Sequence, residues 1–229
     1  MPHTALFLGS IGVLSETSDL QRQAFNRAFA EAGLDWVLTP EHYADLLLQQ
    51  GGRARIARVA EAKGARDDVD IDALYAAKQA QFQALLNDHG TPARPGVREL
   101  LAAAGHRGML RAFVTSTSGI QVQTVLMGLR GAVRSSDFDY IGERRFIENP
   151  KPAPDIYQHA METLGVDPGD VLCIEDTPES AEAAQAAGLT VIGFPGAPAR
   201  TRRFPDGVAT VEFLSPSLLD LEPVRIAAE

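Results

Sequence analysis

A single cysteine, Cys173, in a chain of 229 residues excludes an intramolecular disulfide. The five histidines are scattered, with neither an HExxH run nor a Cys/His zinc spacing, so no structural metal is expected. Positive charge is scarce as well. Twenty-one Lys and Arg against 30 Asp and Glu leave a formal net charge of −9, which argues against a nucleic-acid or anionic-membrane binder, since either needs a basic surface. No apolar stretch approaches the roughly 18 residues of a membrane span. The start of the chain lacks both the basic region and the long apolar region of a secretory signal. A cytoplasmic protein with small-molecule partners is expected, with no nucleic acid and no membrane among them.

What is present is ordinary globular composition, 45% apolar and 22% charged, enough for one large domain or one domain with an insertion. Ala5 to Leu8 is a short apolar run that ends in the Gly9-Ser10-Ile11-Gly12 punctuation and reads as a buried strand leading into a loop. From Leu20 to about His89 the apolar spacing is helical, through Leu20, Ala24, Phe25, Ala28 and Phe29, then Tyr43 and Leu46, then Ile56 and Val59, then Leu74 to Leu86. After the turn-rich Gly90 to Gly96 the chain alternates. The expected order is helix Val97 to Ala104, strand Arg111 to Val114, helix Ile120 to Leu129, strand Phe138 to Ile141. It continues with helix Ala153 to Leu164, strand Val171 to Ile174, helix Glu179 to Ala187, strand Thr190 to Phe194.

This alternation implies an α/β fold, a doubly wound parallel sheet with helices on both faces. The helical block after the first strand is then an insertion. The expected division is a core of residues 1–15 and 91–229 with a helical cap at 16–90. Ligands of open α/β sheets bind beyond the carboxyl ends of the strands, and three polar clusters follow strand ends here: Thr115 to Ser118, Lys151, and Glu175 with Asp176. Hydroxyls donate to phosphoryl oxygens, a lysine offsets developing negative charge, and adjacent carboxylates hold Mg²⁺ through oxygen. Bland roles stand beside these: helix capping for Thr115 to Ser118 and for the Glu175–Asp176 pair, a solvated face for Arg53, Arg55 and the arginines of the tail after Pro195, core packing for Trp36 and Cys173.

In order and character these residues resemble the haloacid dehalogenase (HAD) superfamily, in its beta-phosphoglucomutase/CbbY-like branch. The strongest carrier is NPKPAPDIYQHAMETLGVDPGDVLCIEDT, Asn149 to Thr177. The resemblance matches Lys151 to the family's lysine and Glu175-Asp176 to its acidic, metal-holding pair. It matches VTSTS to the phosphate-binding hydroxyl motif, with Thr115 as the equivalent and Ser116 as the other register. GGRARI, Gly51 to Ile56, is similar to a substrate-contacting cap loop, which puts Arg53 and Arg55 in a position to meet a phosphate.

The first motif departs from the pattern. The family reads D-x-D-G there, and this chain has Gly9-Ser10-Ile11-Gly12. By the resemblance Gly9 stands at the nucleophile, which also binds Mg²⁺, and Ile11 at the acid/base. Ser10 takes the middle position, whose side chain is expected to point away from the site. Gln21 replaces the histidine of the following segment. The resemblance therefore implies no catalytic residue, a weakened Mg²⁺ site at Glu175 and Asp176, and a Lys151 free to pair with Asp176.

Three functions follow as expectations. The first is a non-catalytic or very weakly active binder of a phosphorylated metabolite or inorganic phosphate. The second is a Mg²⁺-dependent phosphomonoester hydrolase of variant mechanism. The third is an interaction module with a collapsed pocket.

Overall fold

The structure, a computed structural model, describes residues 3–47 and 51–222; the outer ends of the expected core, 1–2 and 223–229, lie outside the described residues. Two compact units are present, one of residues 1–16 and 91–229, the other of residues 17–90.

The first unit opens with β1 (Ala5–Leu8), buried at every position, as a strand flanked on both sides and covered on both faces must be. A single helical turn, α1 (Ile11–Leu14), follows it. The expected loop closes into a helical turn through backbone bonds alone, from the Val13 amide to the Ser10 carbonyl at 3.0 Å and from the Ser15 amide to the Ile11 carbonyl at 2.9 Å, with no side-chain cap from Ser10. The second unit holds α2 (Ser18–Glu31), α3 (Pro40–Leu46), α4 (Gly52–Ala62) and α5 (Ile71–His89). Its core joins Phe25, Phe29, Trp36, Tyr43, Ile56 and Leu74, with Trp36 set edge-on to Phe29 at 5.3 Å between ring centroids. The Asp70 carboxylate caps α5 by accepting from the Asp72 and Ala73 amides at 3.0 Å, satisfying donors that have no partner within the helix.

Back in the first unit come α6 (Val97–His106), β2 (Leu110–Phe113), α7 (Gly119–Gly128), β3 (Tyr140–Ile141), α8 (Asp155–Leu164), β4 (Val171–Glu175), α9 (Pro178–Ala186) and β5 (Thr190–Gly193). A sixth strand, β6 (Ala209–Thr210), closes the chain's contribution to the sheet. All pairings are parallel and the order is β3-β2-β1-β4-β5-β6, an α/β doubly wound sheet. Alternate residues Phe7, Ala112, Cys173 and Val191 face one core cluster with Ile156, Tyr157 and Ala184, as the period of two requires.

The tail after Pro195 is more than a solvated loop. It buries Ala199, Phe204, Leu214 and Leu219, adds β6, and pairs half-buried Arg202 with Glu179. Short apolar residues separated by turns carry no periodicity, so nothing local distinguishes them from exposed loop. No helix among the described residues is long and apolar enough to cross a membrane.

Candidate functional site

Strand order reverses between β1 and β4, which are neighbours in the sheet although far apart in sequence, and a crevice at such a switch point is where α/β sheets bind ligands. Register fixes what meets there. Leu8 pairs with Ile174 and the Gly9 amide donates to the Ile174 carbonyl at 2.9 Å, so the next pair is Gly9 beside Glu175. Paired residues of parallel strands project to the same face. A β-carbon built on Gly9 would fall on the Glu175 carboxylate, and one on Gly12 would fall on that of Asp176. The two carboxylates are packed against a loop that accepts them because glycine stands at those positions.

Glu175 is fully buried, and both of its oxygens are bonded. Oε1 accepts from Lys151 Nζ at 2.7 Å and from the Tyr157 hydroxyl. Oε2 accepts from Ser10 Oγ at 2.8 Å and the Asp176 amide at 3.3 Å. Lys151, buried likewise, also donates to the Gly9 carbonyl at 2.9 Å and the Val114 carbonyl at 3.2 Å. An ammonium has three protons, and all three have an acceptor. The expected pairing of Lys151 with Asp176 is thus replaced by pairing with Glu175, since the register that brings Gly9 opposite Glu175 opens space for that longer side chain.

Ser10 also departs from expectation. Its hydroxyl points inward, bonding Glu175 Oε2 and, at 2.5 Å, Asp176 Oδ1. The alternation that would aim it away belongs to a strand, and the chain has already left the sheet at Leu8. Burial, and then the negative charge of Glu175, push the Asp176 carboxyl up to about 6; the Ser10 hydrogen bond, Lys151 and Arg94 oppose this. Asp176 does not cap α9. Thr177 does, its hydroxyl accepting from the Ser180 amide at 3.3 Å.

Thr115 is buried, and its Oγ1 accepts from the Thr117 amide at 3.2 Å. Ser116 follows it, partly exposed. Ser118 caps α7. In the second unit Arg53 is paired with Asp72 and lies over the Tyr75 ring at 4.3 Å, while Arg55 Nε donates to the Leu46 carbonyl at 3.2 Å. The Gln21 amide oxygen accepts from Lys78.

Two contributors went unnoticed in the sequence. Tyr157 has a hydroxyl raised well above its usual range, first by burial and then by the charge of Glu175, and the Ser180 carbonyl, at 3.1 Å, is a second acceptor for its single proton. Its signal was its place six residues after Lys151 in KPAPDIY, in the first turn of α8. Arg94 ties the loops after β1 and β5 together by donating to the carbonyls of Gly12, Phe194 and Pro195 at 2.7, 2.8 and 2.7 Å. No spacing in the turn-rich Gly90–Gly96 segment marked it.

The donor set does not fit an all-protein divalent-cation cage. Among the described residues no group of three or more His, Cys, Asp and Glu side chains converges. The lone pairs of Glu175 are engaged as described, and an ammonium already stands against it. Asp176 is then the carboxylate left to a hydrated Mg²⁺, one protein oxygen group where two would hold the ion more firmly. Cys173 supplies no chemistry, since burial holds its thiol well above the usual range.

A family model for haloacid dehalogenase-like hydrolases matches residues 12–194. The protein CbbY of Cereibacter sphaeroides is 36% identical to this chain over 194 residues, 84% of each. A phosphorylated carbohydrates phosphatase of Thermotoga maritima is 28% identical over 180 residues, 78% of each. Among solved structures, CbbY from Rhodobacter sphaeroides in complex with phosphate superposes with a TM-score of 0.84 at 31% identity, covering 96% of this chain and 100% of that one. A variant of the same protein in complex with xylulose-(1,5)bisphosphate gives 0.82 at 32% identity, covering 92% and 94%.

Proposed function

The chain belongs to the haloacid dehalogenase-like hydrolase family, and from that premise we propose that it is a member in which aspartyl-phosphate chemistry has been lost and recognition of a phosphorylated carbohydrate or inorganic phosphate remains. The observation that carries this is the Glu175 carboxylate lying where a side chain on residue 9 would lie. Neither Gly9 nor Ile11 offers an oxygen or an exchangeable proton, so no covalent phosphoryl intermediate forms at residue 9 and no acid/base acts from residue 11. Ser10 is the nearest hydroxyl, but it lies between two carboxylates, which repel a phosphate approaching it. Groups that act as a unit in catalysis leave little rate when the central ones are missing. Any Mg²⁺ would bind weakly, held by Asp176 with water.

The ligand class rests on likeness to CbbY, which is solved with phosphate and with xylulose-(1,5)bisphosphate, and on Lys151, bonded to the Val114 carbonyl just before Thr115 and Ser116. The test is phosphate release by the purified protein with Mg²⁺ across sugar mono- and bisphosphates and p-nitrophenyl phosphate. Release at the buffer background is expected, and enzyme-like turnover would sink the reading.

A second reading, an interaction module with a closed pocket, is favoured by one observation: every proton of Lys151 has an acceptor within the protein. Thermal melting separates the two. A ligand that binds only the folded state raises its apparent stability, so protection by millimolar phosphate supports recognition, and no protection at any concentration supports the closed module.

A further inference from the structure

The charge arithmetic at the end of β1 bears on how a phosphate reaches Lys151. Glu175 has four donors within bonding distance, Lys151, Tyr157, Ser10 and the Asp176 amide, as many as the roughly four acceptor sites of a carboxylate, with the single protons of Ser10 and Tyr157 shared with Asp176 and the Ser180 carbonyl. The cradle is therefore a complete anion site built from one ammonium, two hydroxyls and one amide, and its occupant is part of the chain. Removing water from such a pair leaves each charge dependent on the other. Any incoming anion must offer Lys151 at least what Glu175 already gives it.

Gly9 is what makes this possible. Its backbone is not in the left-handed region, so the glycine is not needed for conformation there. What a β-carbon there would meet first is the Glu175 carboxylate, both oxygens and the carbon joining them. Glycine at this position and the inward carboxylate are two halves of one arrangement.

We propose that Glu175 is the resident anion of this site: from β4 it supplies to Lys151 the charge that a carboxylate on residue 9 would supply from β1, and a phosphate binds Lys151 only by displacing it. Glu175 is thereby a positioning and affinity-setting residue for phosphomonoesters or free phosphate. It acts through Lys151 and touches no reacting atom. The proposal rests on the phosphate-recognition reading above and adds what controls it.

The experiment is a calorimetric titration of inorganic phosphate into the full-length wild type, Glu175→Gln and Gly9→Ala, each checked for native far-UV and near-UV circular dichroism. Glu175→Gln keeps the shape and removes the charge, leaving the ammonium uncompensated. Gly9→Ala keeps every charge and wedges the carboxylate off its seat, with a backbone that accepts alanine, so it stands if the glutamine variant fails to fold. Both are expected to bind phosphate at least tenfold more tightly than wild type. Binding no tighter than wild type in a folded Gly9→Ala protein would overturn the proposal. Phosphate release by the wild type would overturn the functional reading instead, and the affinity order of the three proteins would still decide the role of Glu175.

Discussion

Replacing Glu175 by alanine is expected to lower the stability of the sheet unit by about 3–5 kcal/mol, the usual cost of removing one partner of a buried ion pair and leaving the other charged and dry. Lys151 would keep two carbonyl acceptors but lose its bonded carboxylate, and the Tyr157 hydroxyl would retain the Ser180 carbonyl. The midpoint of thermal unfolding should fall by about 10 °C. Gly9→Asp should also destabilise by itself, because it forces a third carboxylate into a site with one ammonium and overlaps Glu175. Combined, the two changes should cost less than their sum, since aspartate at residue 9 then supplies Lys151 with the carboxylate that alanine at residue 175 removed. A coupling of about 1–3 kcal/mol is the range for residues sharing one ion-pair network. Denaturant unfolding of the four proteins measures it, and strict additivity would show that the two positions do not exchange roles.

The second large effect is a pH dependence in the helical unit. Lys78, on α5, is almost fully buried, and its ammonium lies 4.9 Å from the Phe25 ring centroid and 5.0 Å from that of Phe82. Gln21 and Gln79 are its hydrogen-bonded acceptors. Burial, helped by the charge of Arg55, pulls its amine down from the ordinary 10.5 to about 7. Between those values the unfolded chain holds a proton that the folded unit does not, so stability rises as pH rises from about 7 toward 10.5. Below about 7 both states are protonated, and the cost of the buried charge is at its full value, on the order of 5 kcal/mol from the two pKa values.

Lys78→Met removes that charge and keeps a long apolar stem. At pH 6 the variant should be more stable than wild type by a few kcal/mol. Near pH 10 the advantage should vanish or reverse by about 1 kcal/mol, the typical value of the hydrogen bonds lost with the amine. Trp36 is the sole tryptophan and lies in the core of this unit, so its fluorescence reports urea unfolding of the right part of the chain. A stability difference independent of pH would contradict the assignment of the buried amine.

Much of this was written locally in the chain. The apolar run Ala5–Leu8, the helical spacing of 20–89 and the later alternation fix strands, helices and a parallel sheet, because burial periodicity follows from the geometry of each element. Glu175 and Asp176 stand out because charged groups directly after an apolar strand are costly to place without a use, and Lys151 through its place in NPKPAP. Two elements were missed for a matching reason. The α1 turn is too short for any period, and β6, two exposed residues long, is a strand only because β5 lies beside it.

What the sequence determined by itself is the inventory: a glycine and an isoleucine just past the first strand, a lysine before α8, and two carboxylates at the end of β4. The tertiary structure alone decided who meets whom. Ser10 and Glu175 are 165 residues apart, and only the strand order, which sets β1 beside β4, brings them into contact. The in-register pairing then turns the missing side chain of Gly9 into room for the Glu175 carboxylate, a volume set by two strands together and visible in neither.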